Sequence, residues 1–312
     1  AWAATRCLAA QQEDDGDPQA SLETIEALLG RLHGHDLAGI HLLELHLHRL
    51  QVLMSLGRYS QVVDACSRAQ VLLERVLPSW GEFFRTTLHM EGAYCAVYLD
   101  PRPETAGRLL ESLEPVDLPG TMRFIARSVR GELELTRGNV RTAALIQRVS
   151  LRYAGNWRSI LGSGSQWELY ILSMCLVTDV ELSPDDAVEL DAGAVRARAT
   201  SLLREILSDP APLQRDIPTL MAFAAAVGLS AVAAEDAGSD RRAVGGELVA
   251  TALAVGTNQT CRLLSHDYLR SRTERLDALA LAQAEERIRS LDRGGLVAHA
   301  ADLAGRLAGE VG

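Results

Sequence analysis

Residues 129–144, VRGELELTRGNVRTAA, constrain this chain more than any other stretch, because they read as two short antiparallel helices that turn sharply and pack closely. Gly131, Gly138 and Ala143 fall at offsets of seven and five residues. Gly131 leaves room for a neighbouring helix to approach the backbone. Gly138-Asn139 ends the first helix, since both residues tolerate the left-handed conformation of a helix C-cap. Ala143 is a small contact near the start of the second helix.

The same grammar recurs along the chain. Apolar residues return at helical spacing from end to end, with no strand-like alternation. Helices are expected over residues 1–12, 19–32, 40–56, 60–77, 82–99, 104–113, 121–137, 140–154, 166–178, 194–207, 217–235, 241–255, 260–291 and 296–307. Pro18 after Asp17 marks a helix start, and Leu22, Ile25, Leu28, Leu29 and Leu32 share the next helix's apolar face. Gly16, Gly57, Gly138 and Gly238, with the Asp100-Pro101 turn, mark a repeat of roughly 40 residues. A single hairpin cannot bury both of its faces, so neighbours must stack. The expectation is an all-α chain of helical-hairpin repeats forming a curved α-solenoid. One domain is expected over 1–312, with a weak joint in a long loop near 181–193 and less regular helices over 260–312.

Composition narrows the function. Hydrophobic residues are 47% of the chain and aromatic residues only 4%, a balance suited to helix-on-helix packing. All 31 basic residues are arginine. The absence of lysine excludes a Walker-type phosphate loop and lysine Schiff-base chemistry. A net charge of −10 argues against a surface that grips nucleic acid. Cys7, Cys66, Cys95, Cys175 and Cys261 are never in CxxC spacing and read as small apolar residues in a reducing compartment. No charge-free apolar run approaches the length of a membrane span, and no signal-peptide pattern precedes residue 20. The chain opens on Ala1-Trp2, and is read as a cytoplasmic piece of something longer.

Two resemblances follow from these residues. Gly131, Gly138 and Ala143 fall on small positions of the tetratricopeptide-repeat (TPR) signature. In the hairpin around Gly57, that glycine, Tyr59 and Ala69 fall on others, with Val62 and Cys66 where the signature has alanine and an aromatic. The chain thus resembles a TPR-like protein. Residues 216–256, DIPTLMAFAAAVGLSAVAAEDAGSDRRAVGGELVATALAVG, with the charged helix after them and DRGGLVAHAADLA at 292–304, are similar to the C-terminal ends of large actinobacterial transcriptional regulators. These are the SARP-type proteins and their LuxR-type, ATP-binding cousins. That resemblance implies a TPR-like sensor, with DNA binding and a nucleotide-binding switch carried by domains outside these residues.

In a TPR register the first helix of each hairpin lines a concave groove. The resemblance then places Glu44, Leu47 and Gln51 there, followed by Glu91, Cys95 and Tyr98, then Ser128, Glu132 and Leu135, with Gln166 and Tyr170 extending the surface. Glu44, Glu91 and Glu132 would make it acidic and suited to a basic or amine-bearing partner. Ten of the fourteen aromatic residues lie between 80 and 170, either as contact area for a ligand or as core. His41, Glu44 and His48 share a helix face, but the spacing lacks the i, i+4 histidine pair of a helical zinc site, and no metal is expected. Asp185-Asp186 reads as solvated loop charge. Ser265-His266-Asp267 are sequence neighbours pointing in different directions, so no catalytic triad is expected. The charged helix beyond Asp267 suits an exposed face or a homo-oligomer seam.

The expected function is a non-catalytic, effector-sensing regulatory domain of a transcriptional regulator, binding a protein, peptide or small-molecule effector without cofactor, membrane or direct nucleic-acid contact. The alternative is a free-standing TPR-type scaffold or adaptor for protein–protein interaction.

Overall fold

The structure is a computed structural model describing residues 2–14, 17–32, 39–76, 104–111, 120–161, 166–208, 217–234, 238–259 and 261–309. Every regular element among the described residues is helical. The chain divides into two compact units, Ala1–Gly138 and Asn139–Gly312. The division falls in the Gly138-Asn139 turn and not near 181–193, which is folded into the second unit.

The first unit holds α1 (Trp2–Asp14), α2 (Pro18–Leu32), α3 (Gly39–Ser55), α4 (Tyr59–Val76), α5 (Glu104–Glu111) and α6 (Gly120–Thr136). Helices α1 to α4 pack in chain order, each against the next. Their core includes Ala9, Leu22, Ile25, Leu28, Leu43, Leu50, Leu53 and Val62. Gly57 ends α3 with φ +68°. The Arg58 N–H donates to the Leu53 carbonyl and the Gly57 N–H to the Met54 carbonyl, both at 2.9 Å, the paired bonds of a Schellman cap. Gly138 repeats the left-handed conformation at φ +82°. The expected helix at 82–99 lies outside the described residues.

The second unit holds α7 (Val140–Leu161), α8 (Gln166–Asp179), α9 (Pro184–Glu189), α10 (Ala192–Ser208), α11 (Ile217–Ala233), α12 (Ser239–Val255), a 3₁₀ turn (Arg262–Leu264), α13 (His266–Ile288) and α14 (Arg293–Gly309). Helix α11 is its axis. It carries no charged residue and is buried without interruption from Thr219 to Val232, as a helix apolar all round must be. It packs on α8, α10, α12 and α13. Helix α10 packs on α14, joining segments about a hundred residues apart in sequence, which a linear stack of hairpins does not do.

Among the described glycines, the closest approach to a neighbouring backbone is where α11 meets α12. A Cβ placed on Gly228 would lie 2.6 Å from the Gly245 carbonyl oxygen, and one on Gly245 would lie 2.7 Å from the Gly228 oxygen. Next along α12, Gly246 faces Ala280 of α13, so the Gly-Gly pair serves two neighbours at once. Beyond it, Ala250 packs with Leu281, Ala284, Ile288 and Leu296. Helix α13 is not the continuous element the sequence suggests. Asp277 is extended (φ −158°, ψ 80°), and its Oδ1 accepts from the Ala280 N–H at 2.9 Å, capping a second helical segment. No described helix is long and apolar enough to cross a membrane.

Candidate functional site

Residues 183–191, expected as loop, fold into α9 because the local chemistry is that of a helix start. Ser183 is the N-cap and Pro184 the first helical residue. The Asp186 N–H donates to Ser183 Oγ (3.2 Å), and that hydroxyl donates to Asp186 Oδ2 (2.7 Å). Asp191 then adopts φ +53°, a left-handed conformation that aspartate tolerates, and turns the chain into α10.

Two arginines of α7 clamp this element. Arg141 donates to Asp186 and to both carboxylate oxygens of Glu189, at 2.8 and 2.5 Å. The Ser183 hydroxyl and Arg141 hold the Asp186 carboxyl below its ordinary value, and Arg141 does the same for Glu189. Asp186 is therefore a tethered group and not a solvated loop charge. Two turns further along α7, Arg148 grips Asp179 of α8 with two bonds, 2.8 and 3.0 Å, and donates through Nε to the Leu190 carbonyl at 2.8 Å. This pair is well buried, with side-chain exposures of 13% and 8%. Burial raises the Asp179 carboxyl above its ordinary value, outweighing the pull of Arg148.

Beneath the clamped turn lies a cleft of about 590 Å³. The end of α8 supplies Leu176, Asp179 and Val180. Leu182, Pro184, Ala187 and Val188 come from the turn and α9, Ala192, Gly193 and Arg196 from the start of α10, and Ser230, Ala233 and Ala234 from the end of α11. Asp191 also lines it. The volume is that of a small-molecule site, as is the pairing of apolar walls with a few charged groups. Val188 is 83% exposed, the most exposed large apolar side chain among the described residues. Asp179 is occupied by Arg148. The Arg196 guanidinium makes one long hydrogen bond, 3.5 Å to the Ser230 carbonyl, and is hydrogen-bonded to no carboxylate among the described residues.

The residues expected to line a groove are distributed differently. Glu44 of α3 pairs with Arg6 of α1 at 2.9 Å and lies 3.6 Å from His41. On the same helix Leu47 is half-buried and Gln51 exposed. Ser128 and Glu132 of α6 are buried, 0% and 2% exposed, so they present no polar surface to a partner. Tyr170 is half-buried on α8, and Gln166 begins that helix. Glu91, Cys95 and Tyr98 lie outside the described residues, as do the side chains of the other eight aromatics between 80 and 170 apart from Tyr170.

His48 is held by Glu13, and among the described residues no three His, Cys, Asp or Glu side chains converge as metal ligands would. Cys175 and Cys261 are buried as expected, the former with its thiol pushed up to about 12 by burial, but Cys7 is exposed. Ser265 caps α13, accepting from the Tyr268 N–H at 3.3 Å, and the His266 ring accepts from the Thr257 N–H at 3.2 Å. These neighbours organise a turn.

Eleven of the fourteen cleft residues lie within residues 176–196, yet they form no motif, because the stretch becomes a cleft only when the end of α11 adds Ser230, Ala233 and Ala234. Ser183-Pro184-Asp185-Asp186 is the one local signal, a helix start by the same rule that locates Pro18. The fold and cleft define a protein, helical throughout its described residues, with a small-molecule-sized site in its second unit. Comparison with known proteins finds no family model, no curated protein and no solved structure that matches the chain.

Proposed function

We propose that this chain is a non-catalytic, effector-binding regulatory module whose ligand enters the cleft beneath α9. The observation that carries this reading is the cleft itself, small-molecule sized and closed on one side by a six-residue helix held through side-chain bonds from α7. The ion pairs that Arg141 makes with α9 lie at the surface and cost little to break, so a ligand touching Ala187 and Val188 can shift the helix while Arg148 keeps its hold on Leu190. The role in transcription rests on the similarity of residues 216–256 and 292–304 to the regulator C-termini, and the TPR-like character on the small-residue turns at Gly57 and Gly138 and on the chain-order packing of α1 to α4. That chain-order packing also supports the alternative of a protein–protein adaptor, since stacked hairpins present a continuous surface.

A thermal-shift screen of small metabolites and peptides tests the reading. Small molecules should raise the Tm of the wild-type chain, and Ala187→Trp, which fills the cleft, should abolish the rise. Peptides that stabilise both proteins equally, with no small molecule active, would favour the adaptor.

A further inference from the structure

We infer that the cleft's ligand is a small carboxylic acid with an apolar body, its carboxylate paired with the Arg196 guanidinium. The inference rests on the effector-binding reading and gives the ligand its chemical class. Arginine presents five N–H donors in a planar fork that matches a carboxylate two-for-two. At Arg196 one of those donors is used, weakly, on the Ser230 carbonyl at 3.5 Å. The arginines that form this unit's clamp are fully matched, Arg148 by Asp179 and Arg141 by Asp186 and Glu189. Arg196 is half-buried in a cleft wall without such a match among the described residues.

The two carboxylates of the lining do not answer it. Asp179 feels the Arg196 charge through space, but both of its oxygens are taken by Arg148. Asp191 stands exposed and makes no ion pair among the described residues. The remaining walls, Leu176, Val180, Leu182 and Val188, are apolar, and the exposure of Val188 leaves a surface that an aliphatic or aromatic body would cover. A cationic ligand would meet Arg196 with like charge. A wholly apolar one would bury that guanidinium without a partner, which is costly.

The test uses the full chain and three probes of one chain length, octanoate, 1-octanol and octylammonium, with affinity read by isothermal titration calorimetry. Octanoate should bind about tenfold or more tightly than 1-octanol, the scale of a charge-assisted hydrogen bond, and octylammonium weakest. Arg196→Gln should bring octanoate down to the affinity of 1-octanol while leaving 1-octanol unchanged. Asp191→Asn keeps a residue that tolerates the left-handed turn and removes a like charge from the lining, so it should tighten octanoate binding. Equal affinity for octanoate and 1-octanol, or indifference to Arg196→Gln, overturns the carboxylate assignment and leaves the effector reading standing. Weaker octanoate binding by Asp191→Asn also counts against it. Failure of all three probes to bind the wild-type chain, when the metabolite screen does find Ala187→Trp-sensitive ligands, overturns the ligand class alone. Failure in both experiments overturns the effector reading with it.

Discussion

Replacing Gly228 by alanine perturbs the closest glycine contact described in the second unit. The new Cβ would stand 2.6 Å from the Gly245 carbonyl oxygen, 3.0 Å from Val249 Cγ2 and 3.1 Å from the Val249 backbone nitrogen. Two of those three atoms are backbone and cannot rotate away. Restoring an ordinary contact of 3.4 Å to the carbonyl requires α11 and α12 to separate by about 0.8 Å. Forcing a methyl group into a filled core costs roughly 1–3 kcal/mol. Alanine's better helix propensity returns up to about 1 kcal/mol. The net expectation is a loss of about 1–2 kcal/mol for Gly228→Ala and a similar loss for Gly245→Ala. The double variant should lose less than the sum, because one separation of the helices relieves both clashes. Gly305→Ala is the control: it lies in α14, where a Cβ meets nothing within 4 Å, and it should gain about 0.5–1 kcal/mol. Urea unfolding followed by circular dichroism gives all four values. Gly228→Ala unfolding at the same or higher urea than wild type, as Gly305→Ala should, would refute the reasoning.

Two further tests concern polar groups, one by pH and one by substitution at the clamp. Burial lowers the His266 value, and its ring accepts the Thr257 N–H only when neutral. Its contribution to stability is therefore complete above the unfolded value of 6.5 and lost as pH falls through the lower folded value, Asp267 opposing the shift. His46 in the first unit is lowered too, by burial and then Arg49 and Arg68, and acts in the same direction. The wild-type chain should lose stability between about pH 7.5 and about pH 5.5, and His266→Gln should lose less over that interval, measured by urea unfolding at both pH values. At the clamp, Asp179→Asn leaves Arg148 buried without a counter-charge and should cost about 3 kcal/mol, while Asp179→Leu combined with Arg148→Met should recover part of that loss. A double variant no more stable than the single one would show that the bond from Arg148 to the Leu190 carbonyl outweighs the ion pair.

Much of the helical order is legible in the residues themselves. The Pro18 start, the apolar face of α2 and the left-handed glycines at 57 and 138 follow from backbone sterics, which act locally and leave a mark at a fixed position. The centrality of α11 is equally open to reading, because seventeen residues without a charge have no face to give to water. Other features are hidden by their dependence on distant partners. Spacing points to Gly131, which is buried in α6, but gives no sign of the close approach of Gly228 to Gly245, whose positions have meaning only once α11 and α12 cross. The α9 start is written in Ser183-Pro184, but Pro184-Asp185-Asp186 carries loop chemistry equally well, and only the Arg141 clamp decides between them. Beyond that helix start, the cleft has no local signature. Arg141, Arg148, Asp179 and Arg196 are ordinary residues on three separate helices until tertiary packing decides which of them are paired. Ser128 and Glu132, expected in a groove, turn inward instead, an outcome that depends on what packs over α6.

Methyl-resolved NMR of the full chain, with leucine and valine labelled, tests the central claim most directly. During titration with a small molecule that raises the wild-type Tm, the methyl signals of Leu176, Val180, Leu182 and Val188 should shift together and saturate at one dissociation constant. Shifts confined to the leucines of α2 and α3, with those four signals unmoved, would contradict the assignment of the effector site to the cleft beneath α9.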